Sequence, residues 1–368
     1  MYKMEKRVFI SPGKYIQGIG VLGQMGQEVN KIGKNALIVS DNIVWGITEE
    51  LVVKSFEDSE ASYFYEEFTG EASTTEIKRL AEVGKAQESD VVVGLGGGKT
   101  IDTAKAVADV LNVPIVVAPS TASTDAPTSA LSVIYSEEGV FEDYEFFDKN
   151  PDLVLVDSKV VVGAPAYLFA SGIGDAMATL VESRASQKRN SDTMAGGKAT
   201  LAAQAIAQKA EEVLFDQGVA AYKAAKKGLV TPQVEAVIEA NTLLSGLGFE
   251  NGGIAVAHAV HNGFTALSGD IHSLSHGQKV AYGILTQLVL EGFSEKEILR
   301  YAYFFKALDL PTTLADLHLD NVPYEDLLEI GKLATSEGET AHNMDPELTS
   351  EQVADALLAV NELTTTAI

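Results

Sequence analysis

Along the first ~160 residues, short apolar runs rich in β-branched residues alternate with longer stretches whose apolar positions recur every three to four places. Four runs are apolar at nearly every central position: NALIVSD (35–41), DVVVGLGGG (90–98), VPIVVAPS (113–120) and DLVLVD (152–157). That is the signature of strands buried on both faces, and each run leaves through a small or acidic residue. Between the first two lies TTEIKRLAEVGKAQES (74–89), with helical spacing behind a threonine start. The alternation predicts a parallel α/β sheet. LSVIYSEEGVFEDYEFF (131–147) reads as a hairpin, two strand-like runs around an acidic glycine turn. After Pro165 the rhythm changes to long alanine-rich helical patterns such as GDAMATLVESRASQ, ATLAAQAIAQKAEEVLFDQG and PQVEAVIEANTLLSGLGF, with no clear strand. The expected architecture is therefore an α/β N-terminal domain with a parallel Rossmann-like sheet (1–162) and an all-α C-terminal domain (163–368).

At 368 residues the chain exceeds what one hydrophobic core sustains, in keeping with two domains. A formal net charge of −25 argues against nucleic acid or an anionic membrane as partner, because phosphates are repelled. The absence of cysteine excludes disulfides, iron–sulfur clusters and thiolate zinc sites. The opening MYKMEKRVFISPGKY lacks the apolar core of a secretion signal, and the longest uncharged stretches are interrupted by Pro, Gly, Asn or His. The expectation is a soluble, cytoplasmic protein.

Within VVVGLGGGKTIDTAKAVADVL, a strand passes through a glycine turn into a helix, where free N–H groups can face an anion. The turn is neither a Walker A loop, which needs Gly where Val93 stands, nor GxGxxG, which needs Gly at Lys99. A diphosphate site and a ligand-free turn both fit. Asp41, at the exit of ALIVSD, suits a ribose diol and favours NAD over NADP, though Asp is also a common turn former.

Four of the six histidines (His258, His261, His272 and His276) fall between Gly252 and Gly283. Imidazoles from successive helices can share one ion, and zinc with nitrogen and oxygen ligands takes a carboxylate as well. This is not HExxH, and no third ligand is local. Asp175, in SGIGDAMATL, is a candidate because an ionised carboxylate at an apolar helix start demands a partner. Satisfied core histidines and a helix-terminal Asp remain the alternative.

Taken together, SPGKYIQG (11–18), GLGGGKTIDTAKA (94–106), STASTDAPTSALSVIY (120–135), SGIGDA (171–176), TLLSGLGFENGG (242–253), AHAVHNGFTAL (257–267) and EGETAHN (337–343) resemble the bacterial glycerol dehydrogenases. These are a zinc-dependent branch of the iron-containing alcohol dehydrogenase superfamily, with the architecture also found in dehydroquinate synthase. The resemblance spans almost the whole chain. It implies one Zn²⁺ per subunit on Asp175, His258 and His276, which also face the substrate, and Asp125 as the polyol-positioning aspartate. It implies NAD contacts at Asp41, Gly96, Gly97, Gly98, Lys99, Thr100, Asp102, Ser120, Thr121, Ala122, Ser123, Ser129, Leu131 and Tyr135. Iron-using relatives carry a further histidine four residues after the Asp; Thr179 stands there instead, which matches the zinc branch. His261 and His272 are not family ligands; His261 is expected to support the ligands from behind or to serve as a proton relay.

The implied reaction is NAD-dependent oxidation of glycerol to dihydroxyacetone, in a homo-oligomer, by family habit an octamer. Another vicinal diol such as propane-1,2-diol is an alternative substrate. A dehydroquinate synthase-like lyase is a more distant alternative: its carboxylate- and phosphate-bearing substrate wants a basic cluster, and near the candidate ligands there are only Lys279 and Arg184.

Overall fold

The computed structural model describes residues 5–367, and its contacts divide the chain into two compact units. The sheet unit comprises Ser11–Pro165 together with Ala225–Leu243; the helical unit comprises the segment ending at Ile10, Ala166–Ala224 and the chain from Leu244 onward. The chain thus passes between units at Pro165, close to the expected 162/163 cut, but two segments cross that cut. The N-terminal segment joins the helical unit because Arg7 bridges Lys198 and Asn251 binds both the N–H and C=O of Ile10. The helix Pro232–Glu239 joins the sheet unit because Glu235 accepts hydrogen bonds from Gln17 and Ser158.

Eight strands are present among the described residues: β1 (Tyr15–Gly18), β2 (Asn35–Ser40), β3 (Ser62–Glu67), β4 (Val91–Gly96), β5 (Ile115–Pro119), β6 (Leu131–Tyr135), β7 (Phe141–Phe146) and β8 (Leu153–Asp157). Six form one parallel sheet in the order β1-β8-β5-β4-β2-β3, and β6–β7 is the expected antiparallel hairpin. The four apolar runs are its interior strands, and Leu37, Ile38, Val39, Val92, Val93, Val117, Leu155 and Val156 are fully buried, as strands covered on both faces must be. The edge strands β1 and β3, which read YIQG and SYFYEE, are only partly buried and carry polar residues, so apolar patterning does not mark them.

From β2 the chain winds outward to β3, then returns to lay β4 on the other side of β2. This reversal leaves a crevice beyond the carboxyl ends of β2 and β4, the place where open α/β sheets bind ligands. Asp41 follows β2 and the glycine turn follows β4, so both cofactor signals lie at neighbouring strand ends.

The helical unit contains no named strand among its described residues. Its central helices approach closely at glycines. A Cβ on Gly277 would lie 1.8 Å from the Ser171 carbonyl oxygen, and one on Gly283 2.4 Å from that of Ala257. Helix His276–Leu290 thereby packs against both Ala166–Ala176 and Val256–Gly263. No helix among the described residues is long and apolar enough to cross a membrane.

Candidate active site

The glycine contacts bring three distant side chains together. Asp175 Oδ1 lies 3.4 Å from His258 Nε2 and 3.1 Å from His276 Nε2, and the three donor atoms all fall within 4.8 Å of one another. Among the described residues this is the group of histidine and carboxylate donors able to hold a metal ion. His276 opens its helix behind a Ser275–Gln278 capping box, which fixes the backbone at that ligand. Asp175 is the penultimate residue of helix Ala166–Ala176, not at a helix start as the sequence suggested. A carboxylate near a helix C-terminus gains nothing from the dipole, so the helix-charge explanation does not apply.

Behind His258 stands Glu182, fully buried on helix Ala178–Arg189. Its Oε2 is 2.5 Å from His258 Nδ1, and its Oε1 accepts the backbone N–H groups of Ala255 and His258 at 2.9 Å. Buried Gln287 accepts the N–H groups of Val256 and Ala257. Helix Val256–Gly263 has no local capping side chain, so two other helices satisfy its orphan donors.

His276 Nδ1 is 3.1 Å from His261 Nε2, and His261 Nδ1 is 3.1 Å from Asn262 Oδ1. With His276 Nε2 turned to Asp175, this spacing suits donation from His276 Nδ1–H to His261 Nε2. His272 stands apart, exposed, its Nε2 2.6 Å from the Leu267 carbonyl oxygen.

The electrostatics favour a cation. Burial pushes the Asp175 carboxyl up, but His276 and His258 outweigh it and hold it well below the usual carboxylate range. Burial works against a charged His258, yet Glu182 and Asp175 prevail and hold its pKa well above the ordinary value. Burial and the neighbouring His276 and Lys279 push His261 well below its ordinary value, so it stays neutral. The two fully buried carboxylates, Asp175 and Glu182, put negative charge in the site that a divalent cation on Asp175, His258 and His276 would offset in place of a proton. The separations from Asp175 also fit: tetrahedral zinc with N and O ligands sets its donors about 3.3 Å apart. Thr179, at the extra ligand position of the iron-using pattern, bonds Ser245 at 3.0 Å, and its methyl lies against Gly248.

In the sheet unit, Gly97 precedes helix Gly98–Leu111, and Gly98, Lys99 and Thr100 form its first turn. Gly96 is glycine for packing, since a Cβ would lie 2.7 Å from Thr100 Oγ1. A Cβ on Gly97 would meet nothing within 4 Å, and one on Gly98 only Thr124 at 3.9 Å. Neither has positive φ. The protein itself does not require these two glycines; the open space over a helix N-terminus suits a diphosphate.

The remaining sequence-derived positions line the loops that follow. Ser120 donates its N–H to the Gly96 carbonyl, Thr121 and Ser123 share a hydrogen bond, and Asn241 fixes the Ala122 carbonyl. Asp125 precedes the short turn Ala126–Thr128. Asp41 caps helix Asn42–Glu57 through one oxygen, Oδ1, which accepts the N–H groups of Ile43 and Val44. Lys99 is paired with Glu71 at 2.6 Å and lies 5.8 Å from the Tyr135 ring centroid. Tyr135, mainly through burial and secondarily through Asp102, is pushed up to about 12.

Asp102 faces β6 and not the glycine turn: it accepts the Val133 N–H at 3.2 Å and lies 3.6 Å from Lys105 Nζ. Burial, only partly opposed by Lys105, pushes its carboxyl up to about 6. Lys105, buried and unremarked in the sequence, donates to the Ala126 and Leu131 carbonyls and to Ser129 Oγ, holding the whole 126–131 segment. Glu182 was also missed. The signal available was its spacing, seven residues after Asp175, which returns an acidic residue to the same side of an otherwise apolar helical run.

A parallel sheet with its switch-point turn, followed by helices that converge an Asp and two His, describes a metal-site alcohol dehydrogenase. The comparisons agree. Residues 12–158 match the family model described as iron-containing alcohol dehydrogenase. A glycerol dehydrogenase of Escherichia coli O6:H1 is 48% identical, with 97% of each chain covered. A glycolaldehyde reductase of Halobacterium salinarum is 44% identical, again with 97% of each covered. The crystal structure of the Schizosaccharomyces pombe glycerol dehydrogenase superposes with a TM-score of 0.95 at 40% identity, covering 99% of this chain and 92% of that one. This chain belongs to the iron-containing alcohol dehydrogenase family, in its glycerol dehydrogenase branch, and is an oxidoreductase.

Proposed function

We propose that the protein oxidises glycerol at C2 to dihydroxyacetone, using NAD and one zinc ion per subunit. The convergence of Asp175, His258 and His276 carries this reading, in a chain nearly half identical to a glycerol dehydrogenase over almost its full length. When bound, the ion supplies Lewis-acid polarisation of the substrate hydroxyl and the nicotinamide supplies a hydride acceptor.

The chain's own residues do the rest. Asp175, His258 and His276 hold the ion. Asp125 accepts a hydrogen bond from the polyol and orients it. His261, hydrogen-bonded to His276, would serve as a relay that passes the proton released from the C2 hydroxyl onward and does not retain it, its basicity being depressed. The amides at Gly98, Lys99 and Thr100 would receive the diphosphate, and the Asp41 carboxylate, which caps the helix through Oδ1, would hold the ribose diol. Lys105 fixes the loop bearing Ser129 and Leu131 from beneath. Asp102 acts as a brace in this scheme, outside the cofactor contacts. The same reading extends to a cytoplasmic homo-oligomer, testable by sizing and cell fractionation.

The test is NADH formation from a panel of polyols with NAD, before and after chelation, with bound metal measured by elemental analysis. Glycerol-dependent NADH that disappears on chelation and returns with Zn²⁺ is expected. NADH from propane-1,2-diol alone, or turnover untouched by complete metal removal, overturns the substrate or the metal respectively. The H. salinarum relative named glycolaldehyde reductase makes that aldehyde, assayed with NADH, the most informative addition to the panel.

A further inference from the structure

We infer that Glu182 is a positioning residue that fixes the tautomer and aim of His258, so that Nε2 presents a lone pair to the ion. The inference rests on the metal reading of the triad. Both carboxylate oxygens have defined tasks. Oε1 accepts two backbone N–H groups at the start of helix Val256–Gly263, which locks the carboxylate in place. Oε2 is 2.5 Å from His258 Nδ1, and a carboxylate there can only accept. The proton of neutral His258 must therefore sit on Nδ1, leaving Nε2 unprotonated toward Asp175, 3.4 Å away. Glu182 is fully buried, so no water competes for the task. Such partners of ligating histidines orient the ring and raise its basicity.

Glu182→Gln separates this role from helix capping. The amide is nearly isosteric, but neither orientation works for the metal. With its oxygen on the two backbone N–H groups, its NH₂ meets Nδ1 and forces the proton onto Nε2, which then cannot ligate. Flipped, the NH₂ opposes two N–H donors.

The experiment uses the full-length chain, stripped of metal and titrated with Zn²⁺ against a chromophoric chelator, with thermal melting of the metal-free forms alongside. Wild type is expected to bind one zinc. Glu182→Gln is expected to melt cooperatively when metal-free, yet to bind zinc about 10- to 100-fold more weakly. In a His258→Ala background the same change is expected to alter the residual zinc affinity by less than about twofold, because its route of action is gone. Unchanged zinc affinity in folded Glu182→Gln, or an equal loss in both backgrounds, overturns the inference. Should that variant fail to fold, Glu182→Asp replaces it, keeping the charge but shortening the reach, with weaker zinc binding expected. Failure of both to fold assigns Glu182 to the helix end alone and also overturns it. A wild type that holds no zinc sinks the metal reading instead, a separate result.

Discussion

The sheet unit and the helical unit build their chemistry in opposite ways. At the carboxyl ends of β2 and β4 the useful groups are mostly backbone amides and consecutive residues, with glycines that no internal packing requires. The candidate metal site is made of three side chains from separate helices, and the glycines near it are where backbones touch. One region leaves room for a ligand by omitting side chains; the other makes a ligand site by crowding helices together. A buried charge also means different things in the two places. Asp102 and Lys105 brace a loop, whereas Asp175 and Glu182 create a demand for a cation.

Removing a ligand should have the largest effect. His258→Ala or His276→Ala is expected to weaken zinc binding so far that the isolated protein holds well under one ion, and to cut NADH production by about a thousandfold or more, since a Lewis acid contributes several kcal/mol. Elemental analysis and turnover read both together; stoichiometric zinc with normal turnover breaks the comparison at its root.

The brace is probed by pH. The Asp102 carboxyl is raised in the folded state to about 6 from an ordinary 3.8, so the folded protein binds more protons between those values. Its contribution to stability is fully present below about pH 4 and is lost as pH rises through about 6, worth on the order of 3 kcal/mol. Asp102→Asn lacks that loss, so the stability advantage of wild type over the variant should shrink across this window in denaturant titrations. Zinc content should not change.

A pair of identical substitutions sharpens the contrast further. Gly277→Ala drives a Cβ into the Ser171 backbone and is expected to cost about 1–3 kcal/mol and to weaken zinc binding. Gly97→Ala meets open space and should leave the melting temperature within about 1 °C, while raising KM for NAD about tenfold through obstruction of the diphosphate. Equal losses of stability would show that both glycines serve packing. The smallest effect is expected from Asp41→Ser, which keeps a helix cap but removes the charge disfavouring a 2′-phosphate. The ratio of kcat/KM for NAD over NADP should fall about fivefold, roughly 1 kcal/mol.

What could be read from the sequence follows the same division. Strands buried on both faces, such as Val91–Gly96 and Leu153–Asp157, announce themselves because every neighbour is apolar. The glycine turn is legible because the residues that form it are adjacent in the chain. Histidine crowding between residues 252 and 283 points to a candidate metal region, and Asp175 is a candidate partner that the family resemblance singles out. Spacing could not distinguish His276, which faces Asp175, from His272, which binds a carbonyl on the surface. Glu182, Gln287 and Lys105 escaped notice because a buried polar side chain takes its meaning from partners far off in the chain. The edge strands Tyr15–Gly18 and Ser62–Glu67 escaped because half-exposed strands at a sheet margin carry polar residues. Asp175 reads as a helix-start residue because the break at Met177, between two helices, has no proline or glycine to announce it.

Thr179 carries one consequence beyond its own position. Its hydroxyl is spoken for by Ser245, and its methyl fills the hollow above Gly248 so tightly that even an alanine there would sit 2.2 Å from it. An imidazole introduced at this position would have to displace a neighbouring helix before it could reach any ion. Placing a histidine at position 179 therefore calls for compensating changes around Ser245 and Gly248 as well.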